Sequence, residues 1–363
     1  MSDVKAIDLP RGAGDGAPSV VRPSFEPRAF VPRRLLRNGH LQTVAGNFLP
    51  RASHLPAPEP VLVEVSPASD AQIATQVLCQ CHWQPAEMRV QRPTAIVVHG
   101  LEGSSDSQYV VGNANKLWLA GANVIRMNMR NCGGRNYEMA RLSPTLYHSG
   151  LSGDVDAVMR YFLERECLES IALIGYSMGG NLVLKLAGEL GANAPRQLHS
   201  VVGVSPAIDL GPSAMALHRP ENRLYEQRFL RNLLKRYRHK VRLFPRAFDP
   251  NRAVGIGSLR DFDDRITALY SGFASAEDYY DRAAAARVVD RIAVPTLIVQ
   301  ALDDPFVTIT PETLAKLRAN ANITLLQVEH GGHCAFLARR DRANGDDGYW
   351  AETTLLRFVL AHA

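Results

Sequence analysis

Residues 170–181 read Ser170-Ile171-Ala172-Leu173-Ile174-Gly175-Tyr176-Ser177-Met178-Gly179-Gly180-Asn181. The run Ile171 to Ile174 is apolar throughout, as a strand covered on both faces must be, and Leu182, Val183, Leu186, Ala187 and Leu190 then recur at helical spacing before Gly191. Strand, tight turn and helix follow directly. A Gly-x-Ser-x-Gly pentapeptide by itself is weak, arising by chance in roughly one chain in ten of this length. Its placement between a buried strand and a helix gives it meaning. In such an elbow the serine sits in a strained turn above the sheet, and the flanking glycines leave space where a Cβ would collide with backbone. Ser177 is therefore the candidate nucleophile; the plainer alternative is a serine that merely caps the helix.

A serine hydroxyl is a poor nucleophile at neutral pH, so a base and a group to orient it are sought downstream. Thr296-Leu297-Ile298-Val299-Gln300 is a second β-rich run, followed by Asp303, Asp304 and Pro305. Catalytic groups of open parallel sheets gather at strand carboxyl ends. After a helical stretch from Glu312 to Asn320, the run Ile323 to Val328 ends in Glu329-His330-Gly331-Gly332-His333. The chain order Ser, Asp, His is that of α/β-hydrolases and differs from two unrelated protease folds with the same triad. Asp304 fits the strand-end pattern Gly-x-x-Asp-x-x-Val with Ala301 in place of the glycine, and Asp303 then reads as a turn residue. His333 follows two glycines that free its loop to approach the serine, whereas His330 lies nearer the strand.

Acyl transfer develops an oxyanion, and preorganised N–H groups aimed at it are worth about 3 kcal/mol each. Met178, next to the serine, supplies one. The other is expected from Leu101, in the loop that follows the strand Ala95 to Val98 and the His99-Gly100 turn. His99 is read as a side chain that fixes this loop, not as an acid or base.

Several further segments extend the pattern: Asn38-Gly39-His40-Leu41-Gln42-Thr43, His99 to Ser105, Asn128-Met129-Arg130-Asn131-Cys132-Gly133-Gly134, Leu302-Asp303-Asp304-Pro305-Phe306 and His330 to His333. Together with the elbow they resemble the AB hydrolase 4 family, which includes bacterial YheT-like hydrolases and eukaryotic abhydrolase-domain lipases and alcohol acyltransferases. The resemblance runs from about Phe25 onward. It implies a serine hydrolase acting on acyl esters, with Ser177, Asp304 and His333 at the positions of the family triad. Asn131 departs from it, standing where relatives often carry glycine. No membrane anchor is expected ahead of the domain, so direct transfer of a membrane lipid is not expected.

At 363 residues, 46% hydrophobic and 21% charged, the chain has the composition of a soluble globular protein. No apolar run approaches the roughly 20 residues that span a bilayer. The amino terminus lacks the apolar core of a secretory signal, so a cytoplasmic location is expected. Five cysteines without framework spacing read as reduced thiols. Cys79 and Cys81 share one face of a strand with His82 opposite, which argues against a metal site there, and no cofactor is expected. Cys334 is read as packing, because neighbours in sequence usually point apart.

The net charge of +5 is uneven. Arg223, Arg228, Arg231, Lys235, Arg236, Arg238, Lys240, Arg242 and Arg246 cluster, while Leu230, Leu233, Leu234, Tyr237 and Val241 recur at helical spacing. That is a basic amphipathic helix. Its plain reading is the solvated face of a lid; peripheral contact with an anionic membrane surface is the alternative. No nucleic-acid recognition motif accompanies the charge.

Strands near 61–65 and 75–83 open the domain in antiparallel fashion, and alternation of β and α then sets in: strand 95–99, helix 107–120, strand 123–128, helix 152–165, strand 170–174, helix 179–190, strand 200–204. This pattern implies an α/β-hydrolase fold, a mostly parallel sheet flanked by helices. Residues 1–24 are Gly/Pro-rich and expected to be disordered. Residues 25–209 and 288–363 form the core, and 210–287 a helical cap insertion, in which Phe262, Tyr270, Phe273, Tyr279 and Tyr280 are candidates to line a pocket. Asn38-Gly39 reads as a tight turn. The expected function is hydrolysis of short- to medium-chain carboxylic esters through an acyl-enzyme. Transfer of the acyl group to an alcohol and a non-catalytic ligand-binding scaffold are the rivals.

Overall fold

The computed structural model describes residues 25–69, 73–341 and 346–363. The expected disordered segment 1–24 lies outside them. Eight strands form one sheet: β1 (Glu59–Ser66), β2 (Thr75–His82), β3 (Thr94–Val98), β4 (Asn123–Met127), β5 (Ile171–Tyr176), β6 (Leu198–Val204), β7 (Thr296–Ala301) and β8 (Ile323–Val328). Their order is β1-β2-β4-β3-β5-β6-β7-β8. β2 pairs antiparallel with both β1 and β4, and the remaining pairs are parallel.

Every residue of β3, β4, β5 and β7 is buried, because helices cover both faces. The two-residue period of a strand divides them between two cores. Ile171 and Leu173 of β5 join one cluster, and Ala172, Ile174 and Tyr176 join the other. Fully burying one such large apolar side chain contributes about 1.5–3 kcal/mol. On one face pack α3 (Ser152–Arg165) and α4 (Met178–Leu190), with Val155, Phe162, Leu182 and Leu186 turned inward. The other face is covered by α2 (Gln108–Leu119) and the carboxyl-terminal α9 (Trp350–His362). The sequence reading overlooked α9, although Ala351, Leu355, Phe358 and Val359 mark its buried stripe.

Between β6 and β7 the described chain contains helices and no strand: α5 (Leu210–Leu217), α6 (Arg223–Leu243), α7 (Ala276–Ala283) and a helical run over 259–271 whose middle, Asp263–Ala268, is a π-helix. α8 (Pro311–Ala319) connects β7 to β8. In α6 the apolar residues Leu230, Leu233 and Tyr237 face the core, as their spacing requires. Its charge is less uniformly solvated than the composition suggests. Arg236 and Lys240 point inward. Lys240 donates to Asn131 Oδ1 at 3.2 Å and to the carbonyls of Ala140 and Ser143. Burial, helped by Arg130 and Arg236, lowers its pKa to about 7.

Asn38-Gly39 is not a tight turn but the start of α1 (Gly39–Phe48). Asn38 caps the helix, its side-chain oxygen accepting from His40 N at 3.0 Å and Leu41 N at 3.2 Å. The dipeptide suggests a turn on local grounds, and the helix wins because its inward face packs against distant loops. That face consists of Gly39, Gln42, Thr43 and Gly46, while Leu41, Val44 and Phe48 point outward at 53%, 46% and 68% exposure.

Candidate active site

Ser177 joins β5 to α4 with φ 54° and ψ −116°, a conformation that costs a non-glycine residue about 1–3 kcal/mol. The surroundings hold it there. A Cβ on Gly175 would lie 2.1 Å from Gly179 O, and one on Gly179 would lie 2.4 Å from His99 O. Both glycines are therefore required by the closeness of β5, α4 and the loop after β3. Gly100 is less constrained, its Cβ coming 3.0 Å from Ser177 Cβ, tighter than most real contacts.

Asp304 and His333 meet at the carboxyl ends of β7 and β8. His333 Nδ1 is 2.9 Å from Asp304 Oδ2, and the Asp304 side chain is fully buried. The other carboxylate oxygen accepts from Phe306 N and Val307 N at 3.1 and 2.9 Å, which fixes the rotamer. Asp303 instead accepts from Gly332 N at 2.8 Å and lies 3.6 Å from His330. It braces the histidine loop. Burial opposes protonation of His333, but Cys334 and the Asp304 carboxylate outweigh it and raise the pKa above the ordinary imidazole value. Cys334 packs against one of the two core clusters and, with φ 62°, turns the backbone left-handed just after His333.

Here α1 finds its role. Thr43 Oγ1 accepts from His333 N at 2.8 Å, and Gln42 bonds both the N–H and the carbonyl of Leu337, at 2.8 and 3.2 Å. Glycine is needed at the contact points. A Cβ on Gly39 would sit 1.9 Å from Asp303 O, and one on Gly332, where φ is +58°, would sit 2.4 Å from Gly39 O. The sequence reading left this segment unassigned. The Asn38 to Thr43 motif was the available signal, but its partners lie some 290 residues away.

Ser177 and His333 line one cavity of about 280 Å³, together with Leu101, Tyr109, Arg228, Phe229 and Cys334. Since Asp304 holds Nδ1, the other ring nitrogen is the one left for chemistry. Neither the Leu101 nor the Met178 N–H makes a hydrogen bond among the described residues. The Leu101 loop is rigidly held. Met129 N donates to His99 Nε2 at 3.1 Å, so Nδ1 carries the proton and donates to Gly100 O at 2.8 Å. Burial lowers the pKa of His99 to about 4, which keeps it neutral in this tautomer. Glu102 receives Arg236 Nε at 3.0 Å and the Tyr147 hydroxyl, tying the loop to α6. Asn131 has φ 67°, a left-handed conformation that asparagine tolerates better than most residues.

Ser177 also lines a second cavity of about 130 Å³, with Leu101, Met178, Leu210, Leu217, Leu233 and Phe262 among others. Tyr279 and Tyr280 also line it, whereas Tyr270 packs on Tyr237 and Phe248, and Phe273 on His148 and Tyr279.

Residues 93–339 match the model of the family described as alpha/beta hydrolase fold. The chain belongs to this family. Among α/β-hydrolases it is 32% identical to YheT of Escherichia coli (strain K12), provisionally named an esterase, over 85% of this chain and 87% of YheT. It is 28% identical to Phospholipase ABHD3 of Mus musculus over 68% of this chain, and spans 59% of that longer protein. These relatives agree with the AB hydrolase 4 resemblance. The 2,6-dihydroxy-pseudo-oxynicotine hydrolase shares the fold at TM-score 0.51 and 16% identity, covering 88% of this chain and 72% of that one.

Proposed function

We propose that this α/β-hydrolase is a serine esterase that cleaves short- to medium-chain carboxylic esters. The observation that carries the reading is a strained Ser177 sharing a cavity with His333, whose far nitrogen is held by a buried Asp304. In the first half-reaction Ser177 Oγ attacks the ester carbonyl carbon as His333 Nε2 takes the hydroxyl proton, and Asp304 stabilises the imidazolium. The tetrahedral oxyanion lies against the Leu101 and Met178 N–H groups. Its collapse breaks the bond to the alcohol oxygen, which leaves with the proton from Nε2. Water then repeats the sequence on the acyl-enzyme and frees the acid.

The two cavities divide the substrate. The leaving oxygen needs the imidazole proton, so the alcohol occupies the cavity lined by His333; the acyl group occupies the other, lined by Met178 and not by His333. Residues 210–287 act as a cap over the acyl side, supplying Leu210, Leu217, Leu233 and Phe262. A void of this size is comparable to one that takes a benzene-sized guest, about 150 Å³. In a series of p-nitrophenyl esters, kcat/KM should therefore peak at roughly four to eight acyl carbons and fall at least about tenfold by sixteen, at about the free energy of one or two misfitted methylenes. A flat profile would remove the acyl assignment.

The alcohol-side mouth contacts an anionic membrane surface. Arg223, Arg228, Arg231, Lys235, Arg238 and Arg242 of α6 are exposed, and Arg228 lies 5.8 Å over the Phe48 ring of α1. α1 turns its large apolar side chains outward beside them, as an interfacial helix does. Among the described residues no helix is long and apolar enough to cross a membrane, and the contact proposed is peripheral. Sedimentation with vesicles containing phosphatidylglycerol should carry the protein down, and about 0.5 M salt or the pair Arg228→Glu/Arg231→Glu should release it. Equal binding to neutral vesicles would count against the role of charge.

A further inference from the structure

Leucine and phenylalanine supply much of the acyl cavity's wall, yet a carboxylate and an imidazole, Asp263 and His148, also line it. Both are half-buried and stand in the cavity wall. Asp263 opens the π-helical turn Asp263–Ala268, a distortion that recurs at functional sites. Thr267 donates to its Oδ1 at 2.8 Å and Tyr280 to its Oδ2 at 2.9 Å. Those two bonds leave further acceptor capacity on the carboxylate. Burial raises its pKa to about 6, against the opposing pull of Thr267 and Tyr280, so the group is mostly ionised at neutral pH.

His148 is neutral, because burial, with Arg130 and Lys185, lowers its pKa to about 3. Its Nδ1 accepts from Gly150 N at 3.1 Å, which places the proton on Nε2. That N–H has no partner among the described residues. Phe273 and Tyr279 clamp the ring edge-on, at 5.3 and 5.9 Å between centroids. The same wall continues from Tyr279 to Tyr280 and so to Asp263. A cavity meant for a bare alkyl chain gains nothing from an open donor and an open acceptor, since each is desolvated there without compensation.

We infer that the acyl cavity selects acyl groups bearing a hydroxyl, which accepts from His148 Nε2–H and donates to the Asp263 carboxylate. A hydroxyl is the small group that does both. This rests on the esterase reading and on the assignment of the acyl side.

The test compares p-nitrophenyl 3-hydroxybutyrate and 6-hydroxyhexanoate with butyrate and hexanoate. Wild type should favour at least one hydroxylated ester by about tenfold to a hundredfold in kcat/KM, the usual range for a charge-assisted hydrogen bond. In Asp263→Asn and His148→Phe that ratio should fall towards one. A wild-type ratio at or below one for both pairs, or an unchanged ratio in Asp263→Asn, overturns the inference. Thermal shift needs no variant: the free hydroxy acid should raise the wild-type melting temperature more than the parent acid at equal concentration, and equal rises again overturn it. Turnover of butyrate without hydroxyl preference sinks the subsite alone. No turnover of any ester, with Ser177 unlabelled by a fluorophosphonate, sinks the esterase reading and the subsite with it.

Discussion

Replacing Ser177 with alanine is expected to lower ester turnover by about 10⁴- to 10⁶-fold, the scale at which a triad loses its nucleophile while binding and oxyanion donors persist. The fold should survive the change. Alanine meets the same backbone penalty as serine at φ 54°, and Gly175, Gly179 and Gly100 still admit the close contacts that impose it. Circular dichroism and the melting temperature should therefore stay near wild type while p-nitrophenyl ester hydrolysis and fluorophosphonate labelling both vanish. A variant that keeps more than about a tenth of the activity would take the serine out of the mechanism.

The neighbouring carboxylates give the second large effect. Asp304→Asn should reduce kcat by about 10⁴, because an amide facing Nδ1 favours the wrong imidazole tautomer and offers no charge to the imidazolium. Asp303→Asn should cost less than about tenfold, since Asp303 holds Gly332 N and faces His330 rather than His333. The pH profile separates the two further. A general base acts when neutral, so kcat/KM climbs as pH rises through the pKa of His333, which lies above the ordinary imidazole value. Asp304 is one of the groups that raise it, so Asp304→Asn should move the acid limb to lower pH, whereas Asp303→Asn should leave it in place. A larger loss of activity in Asp303→Asn would reassign the acid.

Much of this architecture was legible in the residues. The apolar run before Gly175 and the helical stripe after it dictate strand and helix, and the two glycines around Ser177 follow from steric contacts within one turn. α9 was legible in principle, through Ala351, Leu355 and Phe358, but no catalytic motif drew attention to it. The Asn38 segment was misread for a physical reason. Its dipeptide favours a turn locally, while its helix is stabilised by the loops it braces.

The sequence by itself determined the order of strands and helices, the strained turn at Ser177 and the identity of the polar groups available for chemistry, because hydrophobic period and glycine sterics act over a few residues. Only the tertiary structure decided that Asp304 rather than Asp303 meets His333, that α1 lays its small and polar face on the histidine loop and its large apolar side chains outward, and that Arg236 and Lys240 are buried. Those outcomes depend on contacts between segments far apart along the chain, where a side chain's direction is set by what packs against it and not by its neighbours in sequence.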